Sequence, residues 1–143
     1  MSSLVRVLAV SAALEVLVSC LLGLVMLIMM QPWGAALVRR GPSLRDLGSV
    51  HIDLLMLAFL QFAAAFLLHG FGLSIHPVMV GLLVAGAWVN PMPYLARGYG
   101  INAFVLGGPP RQVVLALVGL ASVLALIVSW GTLVVALLAP VFS

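Results

Sequence analysis

Two small groups of polar side chains interrupt an otherwise apolar chain. His51 and Asp53 stand two residues apart at the head of the run VHIDLLMLAFLQF, and Asn90 and Tyr94 stand four apart within AWVNPMPYL. An imidazole can ligate a metal or move a proton, and a carboxylate can orient a donor. An amide and a phenol can aim hydrogen bonds at developing charge. Ionisable side chains inside apolar segments are costly to bury, which makes them functional candidates by default. Glu15 and His69 belong to the same group, with neutral Gln61 beside them.

The elements that must position these groups are membrane helices. Of 143 residues, 65% are hydrophobic and 6% charged, and the mean hydropathy is +1.35. Six arginines and three acids cannot clothe a soluble domain. The single cysteine, Cys20, excludes an internal disulfide and any multi-cysteine metal site. A pI near 10.0 would suit nucleic acid. The arginines are scattered among loops and form no basic stripe, however, so no nucleic-acid partner is expected.

Four apolar runs, at about 4–30, 50–68, 75–95 and 113–138, reach the ~20 residues that a helical crossing needs. No strand-like alternation of polarity appears. The expected fold is an all-α integral membrane protein: a single four-transmembrane-helix bundle over 1–143, completed by homo-oligomerisation. Leu17 to Cys20 loosely resembles a lipoprotein cleavage box. Glu15 interrupts that segment and the apolar run continues past Cys20, so the first run reads as a retained span. Arg39, Arg40, Arg45, Arg97 and Arg111 fall in or beside the first and third loops, against Arg6 alone on the other side. The positive-inside rule then places both long loops in the cytoplasm, the membrane expected being a bacterial inner membrane. Ala116, Gly119, Ser122 and Ala125, and the pair Gly81 and Ala85, read as close helix contacts.

Antiparallel threading brings the start of the second run and the end of the third to one side. His51 and Asp53 then share a depth with Trp88, Asn90, Tyr94 and Arg97, and with the Met26–Trp33 end of the first run. His69 and His76 fall ~25–30 Å away. One histidine at the polar end builds neither a three-histidine zinc site nor a bis-histidine haem. Taken alone, His51 is either a hydrogen-bonded histidine or the one protein ligand of a metal whose other face stays open. Asp53 orients a substrate or caps its span. Asn90 satisfies backbone freed by Pro91 or touches substrate, and Tyr94 is an interfacial or an active-site tyrosine. Gln61 reads as an interhelical hydrogen bonder and the methionines near Met26 as packing.

From Gly48 to Trp130 the order of features resembles the small four-span membrane isomerases, styrene oxide isomerase and its relatives the hydroxylaminobenzene mutases. The resemblance rests on Val50-His51-Ile52, on AWVNPMPYL at 87–95, on GYGINAFVLGGP at 98–109 and on GLASVLALIVSW at 119–130. It implies a homotrimer with ferric haem b between neighbouring subunits, His51 as the axial iron ligand, and Tyr94 at the active site. The ferric iron acts as a Lewis acid on a small lipophilic substrate entering from the membrane lipid. It drives a redox-neutral rearrangement, of an epoxide to a carbonyl compound (Meinwald type) or of an arylhydroxylamine. Asp53 and Asn90 join Tyr94 as expected catalytic residues. Arg39, Arg40, Arg97 and Arg111 either hold the haem propionates or only report insertion.

Such chemistry needs an open coordination position, a dry pocket and a polar group aimed at developing charge. Two positions depart from the epoxide isomerases: Leu57 replaces an asparagine six after the histidine, and Gly86 an aspartate two before the tryptophan. Asp53 is similar to the acidic residue that follows the histidine in the mutases. Glu15 supports a second class, since a lone membrane glutamate in the first of four spans also marks the small multidrug resistance transporters. These exchange protons for lipophilic cations. A non-catalytic membrane subunit is the third reading.

Overall fold

In a computed structural model the chain is described over residues 2–34, 38 and 41–139, and everything structural below concerns those residues. They form five helices and one 3-10 turn: α1 (Ser3–Met29), the turn (Pro32–Gly34), α2 (Leu44–Gly70), α3 (Pro77–Val89), α4 (Met92–Gly98) and α5 (Pro110–Leu138). Helices α3 and α4 together make the third of four segments long and apolar enough to cross a membrane. The all-helical, four-span expectation is met among the described residues.

Two boundaries differ from expectation, each for a local reason. Helix α2 begins six residues earlier than the apolar run, at Leu44. Ser43 caps it, its Oγ accepting from the Asp46 N–H at 3.1 Å and donating to Asp46 Oδ2 at 2.6 Å. Ser43-Leu44-Arg45-Asp46 is a capping-box sequence, so this start was available to the eye. His51 therefore lies about two turns, ~10 Å, inside its helix rather than at its mouth. The third span, expected over about 75–95, breaks at Asn90–Pro91, where the proline was expected to free backbone groups. Pro91 and Pro93 lack the amides that would continue the ladder, although the Asn90 N–H still reaches the Gly86 carbonyl at 2.9 Å.

Helix α1 lies along α2, α3 lies along α5, and α4 leans on α2. An apolar core of Val5, Leu8, Ala64, Leu68, Leu83 and Leu133 fills the end of the bundle away from the long loops. Large aliphatic and aromatic side chains such as Leu17, Leu24, Phe59, Phe66 and Ile127 point outward, as lipid rather than water requires. Close approach is carried by small residues. A Cβ on Gly119 would stand 2.8 Å from Pro93 Cγ, and one on Gly86 would stand 3.0 Å from both Leu126 Cγ and the Ser122 carbonyl. Within the single chain Gly81 and Ala85 are exposed, and nothing lies within 4 Å of a Cβ on Gly81.

Candidate functional site

The polar stripe that organises the bundle interior lies on α1. Ser11, Glu15 and Ser19 recur every four residues, on one helix face, and all three are buried. Ser19 clamps His51. Its hydroxyl donates to the His51 carbonyl at 2.8 Å and sits 2.7 Å from Nδ1, while the Ser19 carbonyl lies 2.8 Å from the same nitrogen. A carbonyl oxygen can only accept, so Nδ1 carries a hydrogen and donates it. Nε2 has no hydrogen-bond partner among the described residues. The imidazole rests on Gly23, where a Cβ would stand 3.3 Å from Cε1. The Ser19–His51 contact thus fixes both tautomer and ring orientation, and interhelical bonds of this kind in membranes contribute about 1 kcal/mol each.

Asp53, two residues on, points roughly 200° away around the helix and meets a different element. Its Oδ2 accepts from Asn90 Nδ2 at 2.8 Å. Because Ser43 caps the helix, Asp53 is not a cap. Asn90 Oδ1 lies 3.4 Å from Ser122 Oγ on α5, whose hydroxyl is better placed to donate to the Gly119 carbonyl at 2.7 Å. Asn90 thus ties α2 to the kink between α3 and α4.

Beyond Asn90 opens a cavity of about 410 Å³, walled by Asn90, Pro93, Tyr94, Phe104, Ala116 and Gly119 among others. The Tyr94 and Phe104 rings meet edge-to-face at 4.9 Å, and the Arg97 guanidinium lies 5.3 Å and 5.2 Å from their respective centroids. Arg97 Nε donates to Asp46 Oδ1 at 2.6 Å. The N-terminal cap of α2, the end of α4 and the third loop are thereby fastened into one corner. Tyr94 lines this cavity, and no described residue hydrogen-bonds its hydroxyl.

The structure unites some expected residues and separates others. Asp53 joins Asn90, and Asn90 joins Tyr94 in one cavity wall. His51 faces α1 and is not among the residues lining that cavity. Trp88, expected beside them, donates from Nε1 to Ser11 Oγ at 3.0 Å, two turns of α1 away from Ser19. Of the four arginines considered for an anionic ligand, Arg97 is paired with Asp46, Arg111 is exposed on the first turn of α5, and Arg39 and Arg40 lie outside the described residues. His69 and His76 are exposed at the far end, His76 capping α3. Gln61, expected to bond between helices, is fully buried with neither amide atom in a hydrogen bond. Leu57 is buried, and Gly86 sits where α5 leaves no room for a side chain. An aspartate there would push α3 and α5 apart.

Three contributors escaped sequence reasoning: Ser19, the Ser43–Asp46–Arg97 corner, and Phe104. The four-residue spacing of Ser11, Glu15 and Ser19 was a usable signal for the first, and the capping box for the second. Phe104 carries none, because a loop aromatic finds its partner only through the fold. Together the fold and its interior polar network define a helical, multi-pass membrane protein. No family model, curated protein or solved structure matches the chain.

Proposed function

We propose that the protein is a membrane-embedded, haem-dependent isomerase acting on a small lipophilic substrate without net oxidation or reduction. One observation carries the reading: His51 Nδ1 donates to the Ser19 carbonyl, which leaves Nε2, without a hydrogen-bond partner among the described residues, as the nitrogen available to a metal. Metal-bound histidines characteristically donate their second ring nitrogen to a carbonyl or carboxylate in this way, which orients the ring and raises its basicity. A haem with one protein ligand asks for this donor and no other, so the residues present fit the group. Ferric haem b, when bound, supplies a Lewis acid open to a substrate oxygen.

The remaining steps belong to this chain. Apolar walls from Pro93, Phe104 and Ala116 keep water from a cationic rearranging substrate. The Tyr94 hydroxyl donates a hydrogen bond toward the substrate oxygen, and the Asp53–Asn90 pair orients the polar edge of the molecule. Since His51 and this cavity lie on different faces of one chain, the complete site forms between subunits: His51 of one, Tyr94 and Asn90 of the next. A homotrimer in a bacterial inner membrane, its long loops in the cytoplasm, accommodates that arrangement. The buried Leu57 and the crowded Gly86 replace polar groups of the epoxide isomerases, so the substrate is an aryl epoxide or an arylhydroxylamine of altered shape.

An absorption spectrum of the protein purified in mild detergent is the test. A Soret band is expected, absent from His51→Ala protein that remains helical and monodisperse. Turnover of aryl epoxides or arylhydroxylamines should then need no redox partner. A colourless protein that takes up no added haemin would overturn the reading. Lipophilic-cation efflux requiring Glu15 would then favour the transporter class.

A further inference from the structure

Glu15 is an ionisable residue sealed inside the bundle. It lies midway along α1 with no exposed surface, and neither carboxyl oxygen has a hydrogen-bond partner among the described residues. Gln61 on α2 is equally sealed, and both its amide atoms are likewise without partners. The two side chains lie alongside one another across the α1–α2 interface, within reach although not in hydrogen-bond geometry. Four unsatisfied polar atoms in one dry spot are a large debt, since each costs about 1–3 kcal/mol unpaired. An ionised carboxylate there costs several kcal/mol more.

Complementarity narrows the solution. A carboxylate offers only acceptors, so it could satisfy the amide nitrogen and never the amide oxygen. A protonated carboxyl offers one donor and one acceptor, the mirror of a carboxamide's oxygen and nitrogen. We propose that Glu15 and Gln61 form an intramembrane proton-binding site, in which the carboxyl keeps its proton and closes a two-bond ring with the carboxamide.

Among the described residues nothing stabilises the anion instead. Helix α3 has no titratable side chain and α5 has only Arg111, at its far start. On α2 the titratable neighbours are Asp53, which would add an acid rather than a counter-charge and whose carboxyl accepts from Asn90, and His51, which Ser19 holds. On α1 itself Arg6 is nine residues, ~13 Å, away and exposed. The inference stands apart from the haem reading, because it needs neither haem nor turnover.

Infrared spectroscopy of the full-length protein in lipid at neutral pH tests it. A protonated-carboxyl C=O stretch, resolved from the amide bands and shifting down in D₂O, should be present. It should vanish in Glu15→Gln, persist in Asp53→Asn, and move to higher wavenumber in Gln61→Leu as the hydrogen bond is lost. Glu15→Gln, which resembles the neutral acid, should also unfold within a few degrees of the wild type. No protonated-carboxyl band at neutral pH overturns the proposal, as does a band that disappears with Asp53 rather than Glu15. If Glu15→Gln does not fold, the Gln61→Leu shift and the Asp53→Asn control decide alone.

Discussion

At the scale of single residues, the behaviour of His51 is set by what α1 places beneath and beside it. Gly23 leaves the ring its seat, and the Ser19 carbonyl takes its Nδ1 hydrogen. On the proposed haem reading, Gly23→Leu should displace the imidazole and weaken retention of the haem about tenfold or more, the range seen when groups supporting a ligand are lost. Soret-to-protein absorbance after dilution would measure this. Ser19→Ala should do less, because the accepting carbonyl belongs to the backbone and survives the change. Equal losses in both would mean that the ring is not held as described. Arg97 and Asp46 allow a second estimate. The arginine side chain is 37% exposed and the aspartate 11%, so screening trims their ion pair. Arg97→Ala should cost about 1 kcal/mol or less, seen as a small drop in the thermal midpoint in detergent. It should also loosen Phe104 and Tyr94, which stack beneath the guanidinium.

At the scale of elements, glycines at crossings separate contact from appearance. Gly119 meets Pro93 so closely that any larger residue must move α4 or α5. Gly119→Val should cost about 1–3 kcal/mol by overpacking and distort the cavity, measurable as a lowered thermal midpoint. Gly81 matches the same small-residue pattern yet faces outward, so Gly81→Ala should fall within about 0.5 kcal/mol of the parent. If both substitutions were neutral, the α4–α5 packing described above would be wrong. The start of α2 carries a related lesson. The apolar run begins near Val50, but Ser43 and Asp46 can satisfy the free amides of a helix end, so the helix extends to them. Hydropathy locates the portion in lipid, and caps locate the helix.

At the scale of the whole molecule, the proposed site requires two chains, because one chain turns His51 and the Tyr94 cavity to different faces. Co-expressing His51→Ala with Tyr94→Phe in one oligomer should restore the proposed isomerase activity, which neither variant should show alone, since some interfaces then pair an intact His51 with an intact Tyr94. The readout is product formation by purified mixed oligomers carrying two affinity tags. Activity no greater than that of the two variants assayed separately would place the whole site within one protomer.

Composition and hydropathy alone determined that this chain is a four-span helical membrane protein. Burying backbone in lipid permits little else once 65% of residues are hydrophobic and 6% charged. They also marked His51, Asp53, Asn90, Tyr94 and Glu15 as costly to bury and therefore worth explaining. Antiparallel threading foretold that Asp53 and Asn90 would share a depth, and they hydrogen-bond. Tertiary structure alone decided the rest. Partners depend on which way each side chain turns around its helix, and depth says nothing about that. Hence His51 went to Ser19 rather than toward Tyr94, Trp88 to Ser11, and Arg97 to Asp46, and Glu15 and Gln61 were left buried without hydrogen-bond partners among the described residues.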